Sequence, residues 1–144
     1  MFLLWRDSMY YFSEWEHCIL LARTKEEALL KSGLEGADTQ TLPLVEAGYF
    51  SFERDFLARG RHYLTEITLD TQVLYLLQFA EYRSDKVHIF FHTDPAVMEA
   101  ELEVWRKESN EFATMDEGIH FIKTADGRCF DCYELKLKVD DDVI

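Results

Sequence analysis

The sequence predicts an α+β fold: a mixed, largely antiparallel sheet with about three helices packed mainly on one face. Three local signals predict it. The first is residues 86–92, a β-rich run that passes through Thr93-Asp94-Pro95 into a long acidic helix. Asp94 is an N-cap residue, and Pro95 stands at the first helical position, where its missing N–H costs nothing. The second is the apolar run of residues 17–23, which leads into Thr24-Lys-Glu-Glu27, a capping box. The third is Asp126-Gly127 between two β-rich runs, a strong short-range hairpin signal.

Taken in order, residues 2–5 and 9–12 are short apolar runs around Arg6-Asp7-Ser8, readable as a hairpin. Met9 is a second possible start for the chain. Residues 17–23 read as a strand covered on both faces. The helix after Thr24 runs to about Ser32 and stops at Gly33. Residues 34–48 carry Gly36, Asp38, Thr39, Thr41 and Pro43 and read as a loop. Ser51 is a candidate cap for a short helix reaching Arg59, although a strand fits there too. His62 to Leu69 alternates Tyr63, Thr65, Ile67 and Leu69, the period of a strand. Asp70 then reads as the cap of a buried helix over residues 71–82, apolar nearly all round. In the acidic helix Met98, Leu102, Trp105 and Phe112 fall on one apolar stripe. Residues 118–124 and 129–139 form the two arms of the Asp126-Gly127 hairpin. In the second arm Tyr133, Leu135, Leu137 and Val139 face one way and Glu134, Lys136 and Lys138 the other. Neither a repeat nor a linker divides the 144 residues, so one domain over 1–144 is expected.

A hydrophobic content of 48 % with 15 % aromatics is enough for a real core. The charge is −13, from 28 acidic residues against 15 Lys and Arg. That balance argues against direct binding of nucleic acid or an anionic membrane, both of which need Lys and Arg. Three cysteines do not suggest a disulfide framework, and residues 1–7 lack the basic leader of a signal peptide. A cytoplasmic protein without a cofactor is expected.

The sequence offers few motifs for chemistry. It lacks a Gly-rich phosphate loop, a GxSxG elbow and an HExxH helix. Cys129-Phe-Asp-Cys132 has the spacing of a zinc or redox pair. In a strand, however, residues three apart point to opposite faces, and His120 is the only nearby supplement. Small buried side chains are the simpler reading of the two thiols. His88 and His92 share one face of their strand but stand about 13 Å apart, too far for one ion. A catalytic His92 at the strand end would need a partner such as Glu66, His62 or Tyr63.

The acidic surplus is the remaining signal. Residues 94–117 carry eight acidic side chains against two basic ones. A solvated helix face is the default meaning of such a run. A face that docks on a cationic partner is the functional one. The sequence therefore predicts a non-catalytic acidic binding or inhibitor protein that docks on a basic partner protein. The partner classes are a toxin, as for an immunity protein, or a nucleic-acid-binding enzyme, with carboxylates standing in for phosphates. The partner-binding candidates are Glu99, Glu101, Glu103, Glu108 and Glu111, the acidic tail Asp140, Asp141 and Asp142, and the aromatics Trp15 and Tyr49. The alternative is a small enzyme or metal-binding protein using His92 and His88 or the Cys129/Cys132 pair. A homodimer is a further possibility, built by pairing strand 129–139 across a two-fold axis if that strand lies at a sheet edge.

Overall fold

The computed structural model describes residues 1–6, 18–32, 39–46, 48–53, 62–84 and 86–139. Among them are ten strands and two helices, distributed over two sheets. The chain groups into two compact units, one formed by Met1–Ala47, Asp55–Leu74 and Leu137–Ile144, the other by Gly48–Arg54 and Tyr75–Lys136.

The first unit holds a four-stranded mixed sheet. Its strands are β1 (Phe2–Arg6), β2 (Cys18–Ala22), β3 (Thr39–Val45) and β5 (His62–Ile67), in the order β2-β1-β5-β3. β1 is antiparallel to both neighbours, whereas β3 runs parallel to β5. Helix α1 (Lys25–Ser32) buries Ala28 against Leu4, Leu20, Ala22 and Leu64. Thr24 caps it as the sequence predicts, its Oγ1 accepting from Glu27 N at 3.1 Å. Lys31, one turn on from Glu27, reaches its carboxylate at 3.0 Å, and this hydrogen bond holds the Glu27 carboxyl below the usual range.

The second unit holds a six-stranded sheet, antiparallel throughout. Its strands are β4 (Gly48–Glu53), β6 (Val73–Glu81), β7 (Lys86–His92), β8 (Glu111–Asp116), β9 (Ile119–Lys123) and β10 (Cys129–Lys138), in the order β4-β7-β6-β10-β9-β8. Helix α2 (Pro95–Glu108) lies on one face of it. Asp94 caps α2 through its side chain, which accepts from Ala96 N at 2.9 Å. Met98 and Leu102 are buried against Leu77, Phe79, Phe90, Ile122, Phe130 and Cys132. Trp105 stacks over Phe79, ring centroids 4.8 Å apart. Thr124, Asp126 and Gly127 make the β9–β10 turn. Gly127 takes φ +86°, which a residue with a Cβ adopts only under strain.

The expected fold class is corrected in several places. The fold is mostly strand, with two helices among the described residues instead of about three, and the helices do not share one face. Residues 71–82 form no helix. Val73–Glu81 is β6, an interior strand between β7 and β10. Leu74, Leu76, Leu77, Gln78 and Phe79 are all buried. A strand covered on both faces is apolar at every position, and by periodicity alone it reads like a buried helix. Asp70 is no cap; it accepts from Arg23 at 2.9 Å. The expected loop at 34–48 contains β3. Pro43 is tolerated there because β3 stands at the end of the strand order, where a missing N–H breaks no ladder bond. Ser51 lies in β4, not at a helix start. Glu111 and Phe112 belong to β8, since α2 ends at Glu108, but Phe112 still packs against the same core as Trp105. β10 lies between β6 and β9, so both of its edges are paired. The condition of an edge position, on which a dimer through that strand depends, is therefore not met. The second arm of the 2–5/9–12 hairpin, the Met9 start, Gly33 and the stretch beyond Glu53 to Arg59 lie outside the described residues.

Leu102 sits 2 % exposed at the centre of the α2 packing. Leu102→Ala is expected to cost about 2–5 kcal/mol of unfolding free energy, measured by urea denaturation. Asp94→Ala, which removes only a cap, should cost about 1 kcal/mol in the same assay.

Candidate functional site

The polar chemistry of the second unit gathers on the sheet face that carries α2. Alternation along the strands places it there. Tyr49 and Ser51 on β4, His88 and Phe90 on β7, and Phe79 and Glu81 on β6 share that face. So do Phe130, Cys132 and Glu134 on β10, His120 and Ile122 on β9, and Phe112 and Thr114 on β8. The helix covers the middle of this surface. Polar groups remain around it, in three clusters.

The first cluster joins α2 to β4. Trp105 Nε1 donates to the Tyr49 hydroxyl at 3.1 Å, and Tyr49 donates to Glu101 Oε1 at 2.5 Å. The Tyr49 ring rests on Phe90, centroids 4.9 Å apart. Burial, followed by the bond to Glu101, raises the Tyr49 phenol well above its ordinary value.

The second cluster joins β8, β9, β10 and α2. Thr114 Oγ1 lies 3.0 Å from His120 Nδ1, and His120 Nε2 lies 2.8 Å from Glu134 Oε2. His120 is only 4 % exposed and packs at a tilt against Phe112, centroids 5.2 Å apart. Glu134 also faces Glu99. Burial first, then the charge of Glu134, raises the Glu99 carboxyl above the usual glutamate range, while Arg106 and His120 pull it down.

The third cluster joins β4, β7 and β6. Ser51 Oγ lies 2.6 Å from His88 Nδ1. His88 Nε2 faces Glu81 Oε2 at 3.7 Å, and that nitrogen is buried without a hydrogen-bond partner. Glu81 Oε1 stands 3.7 Å from the Arg128 guanidinium, which lies over the Phe130 ring.

The acidic candidates therefore divide. Glu101 is bonded to Tyr49, Glu103 is paired with Arg106, and Glu99 is tied to Glu134. Glu108 and Glu111 are exposed, and Asp116 and Glu117 continue the exposed acidic surface past the end of β8. Tyr49 lies in β4, and its hydroxyl is occupied. Trp15, Asp140, Asp141 and Asp142 lie outside the described residues.

His92 Nδ1 accepts from Asp94 N at 3.0 Å, so this histidine braces the strand-to-helix turn. Cys132 is fully buried in the core and Cys129 half-buried, and the strand directs them to opposite faces as the spacing predicts. Burial pushes the Cys132 thiol far above the range of a reactive cysteine. Among the described residues there is no group of three or more His, Cys, Asp and Glu arranged to hold a metal ion. None of the described helices is long and apolar enough to cross a membrane.

Sequence reasoning missed the hydroxyl–imidazole–carboxylate arrangement of the second and third clusters. Its members lie 37 and 7 residues apart in one case and 6 and 14 in the other, and each depends on which strands pair. Compared with protein-family models, curated proteins and solved structures, the chain matches none significantly.

Glu99 supplies a pH test with a defined sign. Its carboxyl is raised in the folded chain, so the native state favours the protonated form. The stability this contributes is present below the ordinary value of 4.5 and is lost as pH rises through the raised one. Glu99→Gln keeps the neutral form at every pH. Its urea midpoint should exceed that of the parent protein at pH 7, and the two should converge near pH 4.

Proposed function

We propose that the protein is an acidic binding protein of the inhibitor or immunity type, which docks on a basic partner protein. The observation that carries this reading is the exposed acidic strip formed by Glu108, Glu111, Asp116 and Glu117, from the end of α2 along β8. These carboxylates are displayed on the surface, whereas Glu101 and Glu103 are engaged within the unit. β8 ends the strand order of its sheet, and Met115 beside them is 70 % exposed. The strip thus combines charge with an apolar contact, as protein interfaces do.

The partner that fits is a protein with a Lys- and Arg-rich surface, such as a toxin domain or a nucleic-acid-binding enzyme. In the second case the carboxylates would occupy the positions of phosphates. A like-signed surface of this kind accelerates encounter and sets orientation, and its contribution fades as salt rises.

The test is capture of the partner by immobilised full-length protein at low and high salt. Combined Glu108→Lys, Glu111→Lys and Glu117→Lys should slow association at least about 10-fold at low salt. Circular dichroism should remain that of the parent protein. Unchanged capture by this folded triple variant would place the docking surface elsewhere.

A further inference from the structure

The contact between Ser51 and His88 goes beyond a docking function. We propose that Ser51, His88 and Glu81 form a nucleophilic site that is acylated by small carboxylic esters. Three neighbouring strands present the three groups in order across one sheet face: β4 the hydroxyl, β7 the imidazole, β6 the carboxylate.

The geometry assigns each role. Glu81 is only 15 % exposed, and its carboxylate faces His88 Nε2 at 3.7 Å. A carboxylate on that side favours the tautomer with its proton on Nε2. The Nδ1 lone pair then points at Ser51 Oγ, 2.6 Å away. This is the arrangement in which an imidazole removes a hydroxyl proton while a buried carboxylate holds the ring and stabilises the imidazolium that forms. Nε2 has no hydrogen-bond partner in the resting chain, and a short movement of the Glu81 side chain completes the bond. Arg128 flanks the other Glu81 oxygen at 3.7 Å. Lys86, two residues before His88 on the same face, lies diagonally across the strand pair from Ser51. That places its backbone about 7–8 Å away, within reach of a lysine stem. In the proposed site its ammonium would be the cation for a developing oxyanion, with Glu53 directly across the strand pair from it.

The step balances without any further reagent. Ser51 Oγ forms a bond to the ester carbonyl carbon as its proton moves to His88 Nδ1. The carbon–oxygen bond to the alcohol breaks, and the leaving alkoxide takes that proton. Water then repeats the sequence on the acyl-serine, releasing the acid and restoring the hydroxyl. Nothing is oxidised or reduced.

The cluster of Thr114, His120 and Glu134 has the same order of groups and serves as the internal comparison. Its hydroxyl is secondary and its imidazole is 4 % exposed. Ser51 is a primary alcohol on an exposed residue, and the His88 side chain is 26 % exposed. Thr114 is exposed as well, so the Ser51 site differs in its primary alcohol and its more open imidazole.

The experiment uses the full chain with p-nitrophenyl acetate and, separately, a fluorophosphonate probe. Intact mass and peptide mapping locate the adduct. The expected result is one acyl or phosphonyl group per chain, on Ser51. Ser51→Ala should remove it and Thr114→Ala should not. Glu81→Gln, which keeps the shape and removes the charge, should slow p-nitrophenol release about 100-fold or more. Ser51→Ala changes an exposed side chain, and circular dichroism checks that its fold is intact. The folded parent protein left unmodified by both reagents, or modified at any residue other than Ser51, would overturn the proposal.

Discussion

The docking of α2 on the sheet of the second unit is the constraint on which the rest depends. Met98, Leu102 and Trp105 take one stripe of the helix into a surface of Leu77, Phe79, Phe90, Ile122 and Phe130. That contact removes apolar area from water over several strands at once. It also decides which polar groups meet. A strand face is shared by every second residue, so a helix laid on one face leaves the polar residues of that same face along its margins. The Tyr49–Glu101, His120–Glu134 and Ser51–His88 contacts are all found there. Their bonds also add direction to an apolar contact that has little of its own. Trp105 shows both aspects, since its ring covers Phe79 while its N–H bonds the Tyr49 hydroxyl on β4.

The acidic composition divides along the same line. Some carboxylates are drawn into bonds within the unit: Glu101 with a tyrosine, Glu134 with a histidine and Glu103 with an arginine. Others, at the end of α2 and on β8, keep their charge in solvent. A uniform reading of residues 94–117 as one acidic face therefore merges two populations with different physics. The first is part of how the unit holds together. The second is available to a partner. Tyr82 follows the rule on the same sheet: burial and its bond to Asp131 push its phenol up to about 12.

What was legible in the sequence was local. The Asp94-Pro95 start, the Thr24 cap and the Asp126-Gly127 turn each involve residues a few positions apart, and each is present in the structure. The strands at 18–22, 62–67 and 86–92 were readable from their runs and alternation. β6 was not, because burial on both faces erases the alternation that marks a strand. β3 was hidden by Pro43, which means a loop unless the strand is known to lie at an edge. The site chemistry was the least legible part. His88 could be placed on a strand face, but its neighbours Ser51 and Glu81 come from strands whose pairing no local pattern announces. His120 invited a metal reading beside the cysteines, whereas its partners are a threonine and a glutamate on adjoining strands.

Cys132 sits in the middle of this packing, wholly out of water, with its thiol proton held tightly by its surroundings. A sulfur so placed is invisible to alkylating reagents until β10 parts from its neighbours. The molecule thus carries its own clock for breathing motions: the speed at which iodoacetamide captures this atom under native conditions counts how often the sheet opens.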